Sequence, residues 1–410
     1  MPSPADPILS HDDFLPCFQP ILDVASGTIS GYESLARRKV EGKALVSAGG
    51  LFFDPTIPGE IKLALDRKLR QQAIEYFADK PGCGFLSLNI SPDWVDLLDG
   101  DTIIPTIEMI RQSGIDPGRV VIEFTERSGE LDKLKQLTAE YHKAGLRVAI
   151  DDFGVGGSQV DRIIALQPDL IKLDMHLFKL ASQGGPEADV ALSIASIAQR
   201  AGCEIVCEGV ETEDEFHFAL ECGAEYIQGW LFQDAREHTV PLSTYAARIN
   251  AHKRSYLERK SRTHKAAAHH NREVTDQVNR LCELFNGRIA EQEILAAIDY
   301  EALAELGIRR IYICDHGGEQ LSPNYEIRTD GIDINKSTIG FNWSHRPYFP
   351  LLHAMHSIHV DHVVVSNAYK DANCGAMYKT LGSFISDHRV LLIDVEAMDE
   401  VLFQSNGMSL

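Results

Sequence analysis

Asp151-Asp152-Phe153-Gly154 sets two adjacent carboxylates directly after the apolar run Leu146-Arg147-Val148-Ala149-Ile150, with a glycine-bearing turn next. Neighbouring carboxylates at the end of a buried strand repel each other unless a cation or a proton compensates them. Other apolar runs end alike. Phe85-Leu86-Ser87-Leu88 leads to Asn89, Val120-Val121-Ile122 to Glu123 and Glu126, and Leu170-Ile171 to Lys172. Glu204-Ile205-Val206-Cys207 leads to Glu208 and Glu211, Thr28-Ile29-Ser30-Gly31-Tyr32 to Glu33, and Tyr226-Ile227 to Gln228. An isolated carboxylate in such a place is an ordinary capping or loop residue, but the recurrence after nearly every run is not explained that way. Oxygen donors without cysteine or a histidine pair suit a hard cation, Mg²⁺ or Mn²⁺. A carboxylate with a neighbour beside it suits two ions about 3.5–4 Å apart, which stabilise the attacking and leaving oxygens of a phosphoester displacement. Lys172 fits as a fixed positive charge near the water or the phosphate, and equally as charge balance.

The elements that must carry these residues alternate. Amphipathic stretches of helical length occupy 103–113, 130–144, 158–166 and 188–201 between the apolar runs. Strands alternating with helices predict parallel pairing through crossover helices. Counting the run 17–24 as the first strand gives about eight strands over ~240 residues, the size of a TIM-like (β/α)8 barrel. Such a barrel gathers the residues that follow its strands on one rim, where catalysis sits.

The ordered motifs resemble those of the EAL family of cyclic di-GMP phosphodiesterases. Glu33-Ser34-Leu35-Ala36-Arg37 resembles the family's Glu-Ala-Leu-x-Arg signature. Gln19-Pro20-Ile21, Asn89-Ile90-Ser91, Glu123-Phe124-Thr125-Glu126, Asp151-Asp152-Phe153-Gly154, Lys172-Leu173-Asp174, Glu208-Gly209-Val210-Glu211-Thr212 and Gln228-Gly229-Trp230 accompany it in the family's order. The likeness covers roughly residues 12–245. It implies hydrolysis of cyclic di-GMP to linear pGpG, with two Mg²⁺ or Mn²⁺ ions and inhibition by Ca²⁺. It further implies that Glu33, Asn89, Glu123 and Asp151 hold one ion, with Asp151 bridging to a second on Asp152. Lys172 and Glu208 would position and activate the attacking water, with Gln228 beside them. Glu126 would anchor the loop after Asp152, and Glu211 would support the site. Gln19, Leu35 and Arg37 would line the substrate groove, Arg37 facing a phosphate with its planar donors. A homodimer is implied through residues 151–164 and 174–180. Ser34 replaces the family's alanine, and Gly157 stands where the family has tyrosine. The second change would loosen a loop that in the family couples the metal site to the dimer interface, and so bears on rate and regulation.

At 410 residues the chain is long for one domain. Its 44% hydrophobic content is that of an ordinary soluble protein. A formal charge of −21 argues against nonspecific binding of nucleic acid or anionic membranes. Met1-Pro2-Ser3-Pro4-Ala5-Asp6 lacks the layout of a signal peptide, and no apolar run approaches spanning length. Eight cysteines without Cys-x-x-Cys spacing read as reduced residues of a cytoplasmic protein.

Three segments are expected: a barrel over 1–245, a helical linker over 246–286, and a second domain over 287–410. The linker carries the basic groups His252-Lys253-Arg254 and Arg259-Lys260-Ser261-Arg262, which read as a solvated face or a signalling helix rather than as a DNA contact. Beyond it, 289–306 reads as a helix, and 309–314, 359–365, 376–384 and 389–395 read as strands. Antiparallel strands with a flanking helix suit an α+β, PAS- or Cache-like sensor domain. The order of domains resembles YkuI-type proteins, in which an EAL barrel carries a C-terminal PAS-like domain. Trp343, Arg346, Tyr348, Tyr369 and Asp371 mix aromatic, cationic and acidic groups suited to a zwitterion or carboxylate. His353, His356, His359 and His362 recur at every third position, yet neither helix nor strand geometry converges all four on one ion. Besides a scaffold, in which an inactive barrel serves the C-terminal domain as a partner and which would not need the full ligand set, two functions fit the chain. One is an enzyme that hydrolyses cyclic di-GMP. The other is a receptor that binds it in the same groove without turnover.

Overall fold

The computed structural model describes residues 13–42, 44–90, 104–125, 130–154, 160–286, 291–358, 363–371 and 374–397. The chain divides into two compact units, Met1–Tyr256 and Leu257–Leu410. Among the described residues no helix is long and apolar enough to cross a membrane.

The first unit is a closed eight-strand barrel. Its staves are β1 (Phe14–Asp23), β2 (Thr28–Arg38), β4 (Phe85–Asn89), β5 (Val120–Thr125), β6 (Arg147–Phe153), β7 (Leu170–Leu173), β8 (Glu204–Cys207) and β9 (Tyr226–Ile227). A two-residue strand, β3 (Val46–Ser47), adds to the edge of β2. From β2 round to β9 every pairing between staves is parallel. The expectation of parallel pairing fails at one stave: β1 runs antiparallel to both its neighbours, β2 and β9. The physical reason is loop length. Only Val24-Ala25-Ser26-Gly27 joins β1 to β2, too short for a crossover helix. Asp23 Oδ1 accepts from Ser26 N–H at 2.5 Å and Gly27 takes φ +70°, which closes a hairpin. Helices Gly59–Ala78, Pro105–Ser113, Leu131–Lys143, Val160–Leu166, Met175–Ala181, Pro186–Arg200 and Glu213–Glu221 follow the later strands.

The barrel interior is layered by the two-residue period of its strands. Ile21, Phe85, Val121, Ala149, Leu170, Val206 and Tyr226 form one buried cluster, a single residue from each of seven strands. On β2 the matching position is Gly31, where a Cβ would stand 2.5 Å from the Phe85 ring. Two residues further along each strand, or two residues back on the antiparallel β1, lies the polar layer described below. The larger core, including Phe18, Tyr32, Phe77, Ile122, Phe124, Tyr141, Ile150, Phe153 and Phe216, lies between strands and helices.

A single helix, Ala246–Asn286, begins in the first unit and continues into the second. The second unit is a seven-stranded antiparallel sheet: β10 (Ile308–Asp315), β11 (Asn324–Arg328), β12 (Gly331–Asn335), β13 (Val364–Val365), β14 (Tyr369–Lys370), β15 (Met377–Ser386) and β16 (Arg389–Glu396). Both faces are covered. Leu391 and Ile393 join a core with Val274, Val278, Leu281 and Phe285, while Val390 and Leu392 join Tyr348, Phe349 and Leu352 on the other side. The helix expected over 289–306 is two, Glu291–Ala297 and Tyr300–Glu305, parted where the Asp299 carboxylate caps the second by accepting from Ala302 N–H at 3.1 Å. The hairpin β11–β12 was not expected; Asn324-Tyr325-Glu326-Ile327-Arg328 is too mixed to read as an apolar run. Within the expected strand 359–365, the described part forms only Val364–Val365. His353 and His356 lie on the helix Tyr348–Ser357, His353 Nε2 standing 2.7 Å from His316 O and His356 stacked on Phe384. His359 and His362 lie outside the described residues.

Candidate active site

Two residues beyond the apolar floor, the strands present Gln19, Glu33, Ser87, Glu123, Asp151, Lys172, Glu208 and Gln228 toward one centre. Lys172 is buried, and its ammonium is where the carboxylates meet. Nζ donates to Glu123 Oε2 at 2.9 Å and lies 3.4 Å from both Glu33 Oε2 and Asp151 Oδ1. It also forms an ion pair with Glu208. Glu33 is fixed from two sides: Asn89 Nδ2 donates to Oε1 at 2.7 Å and Gln228 Nε2 to Oε2 at 2.7 Å. Gln228 also donates to Gln19 Oε1 at 3.1 Å, which is natural because Gln19 sits opposite Glu33 in the β1–β2 register.

Local sequence dictates this placement. Asn89 ends β4 and pairs in register with Glu123 of β5. Asp152 breaks from β6 with φ +54°, a conformation that aspartate tolerates better than most residues, and its N–H donates to Asp151 Oδ1 at 2.9 Å. Gly154 follows at φ +113°, where a Cβ would meet the Leu177 side chain at 2.6 Å. Past Glu208, Thr212 and Glu215 form a reciprocal capping box that starts the next helix and so fixes the intervening turn. Gly229 packs so closely that a Cβ would lie 2.0 Å from Val210 O, which seats Gln228 against the Glu208 turn.

Burial drives the electrostatics. Burial pushes the Glu123 carboxyl up to about 8, the Lys172 charge opposing this and Glu33 and Asp151 adding to it. Glu208 rises well above the usual carboxylate range by burial, then by its acidic neighbours against Lys172. Asp152 rises to about 6, through burial and then Asp151 and Asp174. Burial also acts on Glu33, but Lys172, Gln228 and Asn89 outweigh it and hold the carboxyl below its ordinary value. Burial works against the Lys172 charge, yet Asp151, Glu123, Glu208 and Glu33 together hold its pKa well above normal. One ammonium therefore faces four carboxyls, an excess of acidic groups that pushes Glu123 and Glu208 toward their protonated forms.

That excess, the all-oxygen donor set and the buried Gln228 Oε1 with no hydrogen-bond partner fit a hard divalent cation. Glu33, Asn89, Glu123, Asp151 and Asp152 are the residues that could hold one. Among the described residues no three His, Cys, Asp or Glu side chains stand in the arrangement of a single metal shell. The carboxylates turn on Lys172 instead, so an ion would have to draw them from the ammonium.

Other expected residues fall in different places. Glu33, Leu35 and Arg37 share a face of β2 by alternation, Leu35 and Arg37 half-buried. Arg37 pairs with Asp234. Glu211 pairs with Lys179 at 2.6 Å rather than with the carboxyls around Lys172. Glu126 lies outside the described residues, as does Gly157. Sequence reasoning passed over Ser87, whose Oγ donates to Glu123 Oε1 at 2.5 Å. Its signal was the spacing Ser87-Leu88-Asn89, which puts it on the face of Asn89.

In the second unit the Arg346 guanidinium lies over the Trp343 ring at 5.7 Å and the Tyr369 ring at 5.1 Å. Tyr369 hydroxyl donates to the buried Asp394 at 3.1 Å, and Tyr348 is buried. Asp371 is not an open acid: Arg310 Nη1 donates to it at 3.0 Å and to Asp394 at 3.0 Å.

Comparison with known proteins adds lineage to this geometry. The EAL domain family matches residues 5–235, and the EAL-domain associated signalling protein domain matches residues 240–409. The EAL-domain containing protein YkuI of Bacillus subtilis is 26% identical over 412 residues, covering all of both chains. The crystal structure of that YkuI protein, in complex with substrate c-di-GMP and calcium, is similar with TM-score 0.83 and 25% identity over 97% of this chain and 99% of that one. The probable cyclic di-GMP phosphodiesterase PdeA of Escherichia coli is 29% identical over 230 residues, 54% of this chain and 30% of its own length. The chain, with its (β/α)8 barrel and α+β second unit, belongs to the EAL-domain family.

Proposed function

We propose that the first unit is a metal-dependent phosphodiesterase that hydrolyses cyclic di-GMP to linear pGpG. The observation that carries this reading is the cluster of Glu33, Glu123, Asp151 and Glu208 about Lys172, in a chain whose fold is similar to that of a relative crystallised with substrate c-di-GMP and calcium. Glu33, Asn89, Glu123, Asp151 and Asp152 are the residues that would hold Mg²⁺ or Mn²⁺, Asp151 being shared between two ions if both bind. Divalent ions held there would supply an activated water and charge stabilisation on the phosphate oxygens. Glu208, its carboxyl raised by burial, takes the proton of the attacking water, and Lys172 holds that water or the phosphate in place. Gln228 orients Glu33, and Glu211 supports the site. Gln19, Leu35 and Arg37 line the groove, where Arg37 meets a phosphate. Ca²⁺, larger and looser in coordination, binds and inhibits.

A receptor that binds without turnover is the second reading, favoured by the ammonium standing among the carboxylates. Incubating metal-stripped protein with cyclic di-GMP and added Mg²⁺ or Mn²⁺, then separating the products, distinguishes the two.

The barrel works as a cytoplasmic homodimer in this reading. Exposed Val160, Ile164, Met175 and Leu180 on helices Val160–Leu166 and Met175–Ala181 supply apolar surface for pairing. The second unit regulates the barrel by binding a small molecule near Trp343, Arg346, Tyr348 and Tyr369. Because Asp371 is engaged by Arg310, a carboxylate on Arg346 suits it better than a zwitterion.

A further inference from the structure

Arg37 already has an anionic partner. Its Nη2 donates to Asp234 Oδ1 at 3.3 Å, with the arginine side chain 13% exposed and the aspartate 63%. Its Nη1 donates to Ala36 O at 3.2 Å. Asp234 is held there by the chain around it. Ala235 N–H donates to the same Oδ1 at 2.6 Å. Arg236 is clamped to β1 by two backbone hydrogen bonds with Phe18, at 2.7 and 3.1 Å. Gln233 O accepts from Gln19 Nε2 at 3.3 Å, and Gln233 Oε1 accepts from the Tyr245 hydroxyl. A segment tied on both sides of Asp234 thus presents a carboxylate to the guanidinium that closes the Glu33-Leu35-Arg37 face.

A carboxylate and a phosphodiester compete for the same planar donors. We propose that Asp234 is a built-in competitor of the substrate phosphate at Arg37, and so sets the affinity of the groove for the anionic dinucleotide. It keeps Arg37 extended into the groove when no substrate is present and gives up its hydrogen bond when a phosphate arrives. Asp234 is therefore a positioning residue that acts through Arg37. This rests on the reading of Arg37 as a phosphate contact.

The test is calorimetric titration of the full chain with cyclic di-GMP in calcium, for wild type, Asp234→Asn, Arg37→Ala and the double variant. Asp234→Asn should bind about three- to fivefold more tightly at low salt, the scale of an exposed ion pair. The gain should shrink as salt rises, and vanish in the Arg37→Ala background. Equal affinity of Asp234→Asn and wild type would overturn the proposal, as would an undiminished gain without Arg37. A folded wild type that binds no cyclic di-GMP would instead overturn the reading of the groove on which the proposal rests.

Discussion

Lys172 decides how the site behaves without metal. A buried ammonium among four carboxyls is stable only while the charges face one another, and removing one partner of such a group typically costs about 3–5 kcal/mol. Lys172→Ala should therefore lower the melting temperature of the metal-free protein, and added Mg²⁺ or Mn²⁺ should restore it without restoring the rate. Melting curves with and without metal, paired with product analysis, check both halves; wild-type turnover in Lys172→Ala would mean that the lysine has no part in the chemistry. Glu33→Ala should abolish turnover with the fold kept, since Glu33 lies in the polar layer above the apolar floor. Turnover at the wild-type rate in that variant would move the metal centre elsewhere.

Strands and turns aim these side chains, and one very close backbone approach is at Gly229. Gly229→Ala would drive a Cβ into Val210 O, and overpacking of this kind costs about 1–3 kcal/mol. It should depress both melting temperature and activity, whereas Gly82→Ala, with nothing within 4 Å, should do neither. Much at this scale was legible in the sequence. The apolar runs around Val121, Ala149, Leu170 and Val206 gave the staves, and the residue two places on gave the polar layer. The direction of β1 was not legible, because an apolar run carries no polarity and only the short Val24–Gly27 turn distinguishes a hairpin from a crossover. Asp299 hid a helix break inside one amphipathic period. The pairings Arg310–Asp371 and Arg37–Asp234 join residues far apart in the chain, which no local pattern can reveal.

At the scale of the whole molecule, the second unit and the pairing of chains should govern rate. In full-length protein, Arg346→Ala should change the rate or substrate affinity of the barrel if a carboxylate on Arg346 biases its state. No change in either, together with unchanged dimerisation, would leave the second unit without a sensory role. Sedimentation should find a dimer at micromolar concentration; a fully active monomer would remove the pairing helices from the account. The central claim is that the carboxyls around Lys172 recruit divalent metal to hydrolyse cyclic di-GMP. The most direct measurement strips the protein with chelator, returns Mg²⁺ or Mn²⁺, and follows cyclic di-GMP and pGpG by chromatography. The account predicts no product in chelator and linear pGpG once metal is restored. Undiminished hydrolysis after stripping, or bound but unconverted cyclic di-GMP with metal present, would contradict it.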